Sequence, residues 1–72
     1  MNEPTPFGIF LRTLRMKQGK TLRQLAKDSE LTFGYIAQIE RGYAPSPSIY
    51  SIARLAEALD VPQSELLTAA DR

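Results

Sequence analysis

Residues 21–42 read TLRQLAKDSELTFGYIAQIERG, and this stretch decides the fold. Thr21 with a glutamine three residues later is a capping-box pattern, which predicts a helix that ends near Ser29. Thr32 caps the helix that follows, and Gly42 ends it because glycine readily takes the left-handed conformation found after a helix. Only two residues separate the end of the preceding helix from Thr32. Helices joined so tightly cannot lie antiparallel, so we expect them to cross steeply.

Three further helices are predicted on either side of this stretch. Counted along the chain, the first helix is capped by Thr5 and ended by Gly19. Pro6 stands at its first position, where a missing N–H costs nothing. Ser48 caps the fourth, and Val61 leads into a short fifth. The side chains expected inside are spaced three or four residues apart: Phe7, Phe10, Leu11 and Leu14 in the first helix, Ile49, Ile52, Leu55, Ala56 and Leu59 in the fourth, and Leu66 and Leu67 in the fifth.

The composition of this 72-residue chain excludes most catalytic and metal chemistry. Cysteine and histidine are absent, so there is no disulfide, thiolate nucleophile, histidine base or usual zinc ligand. We therefore expect no enzyme activity, no cofactor and no metal. The lack of cysteine fits the cytoplasm, no apolar run is long enough to cross a membrane, and residues 1–8 lack a signal-peptide pattern. We expect one domain over residues 6–69, with a short arm at 1–5 and a tail at 70–72.

The net charge of +1 conceals an uneven distribution. Residues 1–42 carry seven basic and four acidic side chains, whereas residues 43–72 carry two basic and four acidic ones. Six of the basic residues lie between Phe10 and Asp28 with no acid among them. Charge separated in this way indicates either one face that meets a polyanion or simply a solvated helical face.

Two tightly crossed helices are typical of a helix-turn-helix, which lays its second helix in the DNA major groove. The chain resembles the phage repressor/Cro-like (XRE-type) helix-turn-helix family over roughly residues 7–67. The resemblance implies an all-α, compact five-helix lambda-repressor-like domain, commonly dimeric, that binds DNA and regulates transcription. The segments that carry it are Leu11-Arg12-Thr13-Leu14-Arg15, Gly19, Leu25-Ala26, Leu31-Thr32, Tyr35-Ile36, Ile39-Glu40-Arg41-Gly42, Pro47-Ser48, Leu55-Ala56, Ala58-Leu59, Val61 and Glu65-Leu66-Leu67.

Two positions depart from the family pattern. Glu30 stands in the turn where the family usually has glycine, and a left-handed non-glycine residue costs of order 1 kcal/mol. We therefore expect a slightly different turn there. Leu22 stands where the family often has a glutamine that braces a phosphate or the recognition helix, so that polar contact is not expected here.

By resemblance, the third helix presents five residues to the bases: Thr32, Phe33, Gly34, Tyr35 and Gln38. Gln38 is the strongest candidate, since its amide can pair with adenine through two hydrogen bonds. Phe33 packs either on thymine methyl groups or in a core or dimer contact. Gly34 lacks a side chain, so it either lets the helix backbone approach the DNA closely or is a glycine that the position merely tolerates. Tyr35 either donates its hydroxyl to a phosphate or packs against the second helix. With few polar side chains here, shape and apolar contact should supply much of the specificity.

The DNA backbone is expected to meet two groups of residues. The N-terminus of the second helix offers free N–H groups, and the segment after the third helix is where family members grip phosphates. The candidate phosphate-binding residues are Lys20, Thr21, Arg23, Arg41, Tyr43 and Ser46. Any one of them is alternatively a solvated surface residue.

The resemblance also implies an ion pair and a dimer. Arg15 and Glu40 occupy places that often hold an arginine–glutamate pair linking the first helix to the end of the third. The candidates for a symmetric contact between two copies are Tyr50, Gln63, Leu66 and Leu67, with a monomer as the alternative. Two recognition helices would then lie about 34 Å apart on a pseudo-palindrome.

Two functions follow as hypotheses. The first is a sequence-specific regulator of double-stranded DNA, acting as a dimeric repressor through the helix that starts at Thr32. The second is a protein-binding module, such as an antitoxin or a regulator that contacts a protein partner through the apolar surface around Phe33 and Gly34.

Overall fold

The computed structural model describes residues 5–43 and 47–70, and all the regular secondary structure in these ranges is helical. The helices are α1 (Pro6–Lys17), α2 (Leu22–Ser29), α3 (Phe33–Arg41), α4 (Ile49–Leu59) and α5 (Gln63–Ala70). The predicted all-α, five-helix architecture is confirmed. In these same ranges, no helix is long and apolar enough to cross a bilayer.

The hydroxyl side chains expected to start helices do so. At α1, the Thr5 hydroxyl accepts from the Gly8 N–H at 3.0 Å. At α2, Thr21 and Gln24 each accept from the backbone N–H of the other, at 3.1 and 2.9 Å, which completes the capping box. Thr32 and Ser48 cap α3 and α4 in the same manner. Each cap contributes about 1 kcal/mol, so the helix starts are encoded locally.

Helices α2, α3 and α4 each end at a residue in the left-handed backbone conformation, and two of these residues are not glycine. Gly42 ends α3 at φ 85°, as expected. Glu30 ends α2 at φ 59° and Asp60 ends α4 at φ 57°. The expectation that Glu30 would alter the turn is wrong, because it takes the conformation that a glycine would take there. Arg54 of α4 lies 2.8 Å from the Glu30 carboxylate and holds the side chain of this strained residue.

The core lies where all five helices converge. Helix α1 packs against α3 and α5, α2 packs against α3 and α4, and α4 packs against α5. The largest fully buried apolar side chains are Leu11, Leu25, Ile36, Ile39, Leu55, Leu59 and Leu66. Every helix therefore contributes at least one large side chain to a single apolar cluster.

Two side chains predicted to be buried are on the surface. Leu67 is 43% exposed and Ile49 is 74% exposed, so neither closes the core. Leu66, by contrast, is 0% exposed, which contradicts its assignment as a dimer contact. Adjacent residues of a helix point about 100° apart, so Leu66 and Leu67 cannot share one environment.

The crossing of α1 and α3 depends on Gly8. A Cβ atom at this position would lie 2.5 Å from the Ile39 carbonyl oxygen and 3.2 Å from that of Glu40. Both atoms belong to the backbone of α3, which cannot give way as a flexible side chain would. Glycine is thus required for the two helices to approach this closely.

Gly8→Ala should lower the free energy of unfolding by about 1–3 kcal/mol, since overpacking forces the helices apart. The matched control is Gly34→Ala, because Gly34 also lies in the first turn of a helix and an added Cβ there meets nothing within 4 Å. The control should leave stability unchanged or raise it by up to about 1 kcal/mol. Thermal and urea denaturation followed by circular dichroism measures both variants. Equal stabilities for the two would contradict the assigned role of Gly8.

Candidate nucleic-acid interface

Helix α3 presents one exposed face and buries the opposite one. Ile36 and Ile39 are fully buried and fix its orientation. Gly34, Gln38 and Arg41, which follow one another by four and three residues, lie on the solvent side. With Thr32 exposed at its N-terminus, α3 offers an outer surface of about two and a half turns.

Phe33 and Arg23 contact one another at the edge of this surface. The Arg23 guanidinium carbon lies 5.1 Å from the centre of the Phe33 ring, and Phe33 is 43% exposed. Phe33 is therefore not a core residue. The cation–π contact joins the starts of α2 and α3 and leaves part of the aromatic ring accessible.

Tyr35 connects α3 to α4. Its hydroxyl oxygen accepts from the Ser51 hydroxyl at 3.0 Å, and Ser51 accepts from the Ser48 hydroxyl at 3.0 Å. Ser48 in turn accepts from the Ser51 N–H at 3.1 Å. In this arrangement Ser51 is the donor, so the Tyr35 O–H can itself donate. Tyr35 also packs against the core cluster, to which α2 contributes Leu25 and Ala26, so the expected packing alternative stays open. The sequence did not indicate the hydrogen bond to α4.

The candidate phosphate-binding residues that the structure describes are all exposed except Lys20. Thr21, Arg23, Arg41 and Tyr43 are exposed, and Ser46 lies outside the described residues. The Lys20 ammonium instead donates to the Ala58 carbonyl oxygen at 2.6 Å and to the Asp28 carboxylate at 3.0 Å. Its charge is already engaged within the protein, which disfavours the predicted phosphate contact.

Arg15 and Glu40 form a bidentate ion pair behind α3. Arg15 Nε and Nη2 lie 2.8 and 3.0 Å from the two carboxylate oxygens, and the two side chains are only 11% and 7% exposed. Arg15 Nη1 also donates to the Lys20 carbonyl oxygen at 2.8 Å. The hydrogen bond to Glu40 is the main cause that raises the Arg15 pKa above its ordinary value, so Arg15 stays charged. The pair joins α1 to the end of α3.

A second polar attachment, which the sequence did not indicate, holds the end of α4. The Gln18 amide donates to the Leu59 carbonyl oxygen at 2.7 Å, beside the Lys20 contact with Ala58. The last carbonyls of a helix lack partners within the helix and attract donors and positive charge. The connection between α1 and α2 therefore caps α4 from outside.

The remaining dimer candidates lie on α4 and α5. Tyr50 and Gln63 are exposed and line a groove of about 500 Å³ between α4 and α5. Arg54 lies in the same groove, where its guanidinium donates to the Tyr50 hydroxyl at 3.1 Å. Leu67 is exposed on α5.

In the parts of the chain that the structure describes, no cluster of three or more potential metal ligands occurs.

Two short helices that pack together across a tight turn, the second with a solvent-facing side flanked by cations, define a helix-turn-helix domain. Residues 6–69 match the family model described as a helix-turn-helix domain, and the chain belongs to this family. Its relatives are transcriptional regulators of the phage repressor/Cro (XRE) type, as the sequence resemblance indicated.

Solved structures and curated sequences agree on this family. The restriction-modification controller protein C.AhdI from Aeromonas hydrophila superposes with a TM-score of 0.82 at 39% identity, covering 86% of this chain and 92% of that chain. SinR, the master regulator for biofilm formation, in complex with DNA gives a TM-score of 0.81 at 30% identity, covering 85% and 97%. The transcriptional regulator ClgR from Mycobacterium tuberculosis is 38% identical over 60 residues, or 83% of this chain and 53% of the relative. The chain thus spans about half the length of that curated relative.

Glu40→Ala should destabilise the domain by about 3–5 kcal/mol, because it leaves the Arg15 guanidinium largely buried without its carboxylate. The matched control is Asp28→Ala, which breaks the more exposed ion pair with Lys20 and should cost no more than about 1 kcal/mol. Denaturant unfolding measures both variants. The double variant Arg15→Met/Glu40→Leu should recover much of the loss, and equal costs for the two single variants would contradict the structural role of the pair.

Proposed function

We propose that this chain is a sequence-specific double-stranded DNA-binding regulator that acts as a dimeric repressor. The observation that carries the proposal is the outer surface of α3. It is exposed along its length, it is flanked by Arg23 and Arg41, and the Arg15–Glu40 pair holds the helix from behind. An α-helix fits the major groove, and rigid support keeps its side chains in register with the base edges.

Base recognition is assigned to the outer face of α3 and its N-cap. Gln38 is exposed and can form two hydrogen bonds with adenine, and the Thr32 hydroxyl can donate to or accept from a base edge. The accessible edge of Phe33 suits a thymine methyl group. Gly34 adds no side chain to this surface, which permits the backbone of α3 to lie close to the groove. The small number of polar groups favours a share of indirect, shape-dependent recognition.

Phosphate contacts are assigned to both ends of this surface. The N–H groups of Leu22 and Arg23 have no acceptor within the helix, and the Arg23 side chain extends from the same turn. Tyr35 has its own O–H free, held in place by Ser51. Arg41 and Tyr43 follow at the other end of α3, and Ser46 remains a candidate from the sequence alone. These contacts position the helix without reading sequence.

Dimerisation is assigned to the surface of α4 and α5 that carries Tyr50, Gln63 and Leu67. This surface lies on different helices from the DNA-facing residues, so one copy can pair with another while α3 stays free. A two-fold dimer would place its two α3 helices about 34 Å apart, one turn of DNA. The relatives support DNA binding and repression: one is a repressor from Bacillus subtilis by name, and SinR was solved in complex with DNA.

A protein-binding module is the second candidate, and the exposure of Phe33 favours it. An aromatic side chain beside an uncovered glycine suits an apolar partner surface as well as a DNA groove. The two functions separate in one comparison. Stoichiometric capture of a protein partner together with no shift of any DNA would favour this second function over the first.

Selection of bound sites from a random DNA pool should return a pseudo-palindrome with half-site centres about one helical turn apart. Titration of the selected site at several salt concentrations should show log K falling against log salt with a slope of roughly −4 to −5, for four to six phosphates per dimer. Sedimentation at micromolar concentration should show a dimer. A flat salt dependence, or a pool with no enriched sequence, would contradict the proposed function.

Gln38→Ala should weaken binding by about 1–3 kcal/mol at one base pair of each half-site and relax the sequence preference there. Arg23→Gln is the contrasting variant, because loss of a phosphate contact should weaken all sequences about equally. Competition assays on single-base variants of the selected site measure both effects. If Gln38→Ala weakened all sequences equally, Gln38 would not be a base-reading residue.

A further inference from the structure

A small cleft lies where α1, α2 and α3 meet. It has a volume of about 260 Å³, and its lining residues are Arg12, Arg15, Leu22, Ala37, Glu40 and Arg41. Three of these six are arginines and one is a carboxylate. The cleft therefore carries two net positive charges, a density that favours an anion.

The three arginines are not equivalent. Arg15 is committed to internal contacts, with two of its nitrogens on Glu40 and the third on the Lys20 carbonyl oxygen. Within residues 5–43 and 47–70, neither Arg12 nor Arg41 forms a salt bridge. Both are exposed at the rim. They are the groups left to bind an incoming anion.

The remaining walls cannot supply a donor from their side chains. Leu22 and Ala37 offer only carbon, and the Glu40 carboxylate is occupied by Arg15. An anion in this cleft therefore depends on the two free guanidinium groups, whose planar N–H groups match the oxygens of a phosphate.

The location of the cleft indicates which anion it meets. Leu22 is the first residue of α2, so the free N–H groups assigned to a DNA phosphate lie at its border. Ala37 lies one turn beyond Phe33 on α3, and Arg41 one turn further. The cleft thus adjoins the surface assigned to DNA, on the side facing α1.

We propose that this cleft binds one phosphate of the DNA backbone in each protomer, with Arg12 of α1 and Arg41 of α3 as the paired donors. The inference rests on the proposed DNA-binding function. It adds α1 to the interface, and it assigns to Arg12 a phosphate contact in place of the one predicted for Lys20. The Arg15–Glu40 pair lines the same cleft.

Arg12→Gln is the test, and Lys17→Gln is its matched control. Both replace one exposed positive residue of α1, and their positions five residues apart place them on different sides of the helix. Arg12→Gln should weaken binding of selected and unrelated DNA by the same factor, and it should reduce the salt slope by about one per protomer. Lys17→Gln should leave the slope unchanged. Thermal denaturation should show both variants folded as stably as the parent chain.

Arg41→Gln and the double variant Arg12→Gln/Arg41→Gln complete a cycle. If both arginines hold the same phosphate, the double variant should lose less affinity than the two single losses combined. Strict additivity would overturn the shared site. Inorganic phosphate provides a separate test. If phosphate raised the melting temperature of the parent chain but not of Arg12→Gln, while Arg12→Gln bound DNA as tightly as the parent chain, the cleft would be a site for a free anion and the proposal would be overturned.

The failure of this inference is distinguishable from failure of the proposed function. If the parent chain bound no DNA, or bound it without salt dependence, the proposed function and the phosphate site would both be contradicted. If the parent chain bound DNA with the expected salt slope and Arg12→Gln behaved like Lys17→Gln, only the phosphate site in the cleft would be contradicted.

Discussion

The approach of α1 to α3 is the constraint on which the rest of the structure depends. Gly8 lets the two helices meet at backbone distance beside Ile39 and Glu40, and Arg15, about two turns further along α1, binds the Glu40 carboxylate. A glycine contact sets the separation, whereas a bidentate ion pair sets the rotation, because its planar geometry tolerates little change. The outer face of α3 is therefore oriented from behind, by residues that touch no ligand.

Helix α4 is held by polar contacts near both of its ends. Gln18 and Lys20 bind its last carbonyls, and Ser51 in its first turn contacts Tyr35. Between them, Arg54 reaches the left-handed Glu30 of the turn between α2 and α3. These contacts add to the burial of Ile52, Leu55 and Leu59 in the core. They also connect the helix assigned to dimerisation with the helix assigned to DNA, so the two surfaces are held in one geometry.

The local features were predictable from the sequence, and the long-range polar contacts were not. Hydroxyl caps and apolar spacing act within one turn, so the starts of α1 to α4 could be read directly. The Lys20 ammonium donates to the carbonyl oxygen of a residue 38 positions away, and no local sequence pattern encodes that contact. Leu66 and Leu67 show the intermediate case: spacing identified an apolar pair, but only packing determined that Leu66 is buried and Leu67 is exposed. The family resemblance, not spacing, supplied the Arg15–Glu40 pair.

The distinction between committed and free cations changes what the charge distribution means. The basic N-terminal half indicated either a face that meets a polyanion or a solvated helical face, yet Arg15 and Lys20 are engaged in internal contacts. Arg23 is shared with the Phe33 ring, and Arg12 and Arg41 have no carboxylate partner among the described residues. A near-neutral protein can therefore present a localised positive surface, because carboxylates neutralise the structural cations and leave the peripheral ones. Affinity for a polyanion depends on where the uncompensated charges lie rather than on their total.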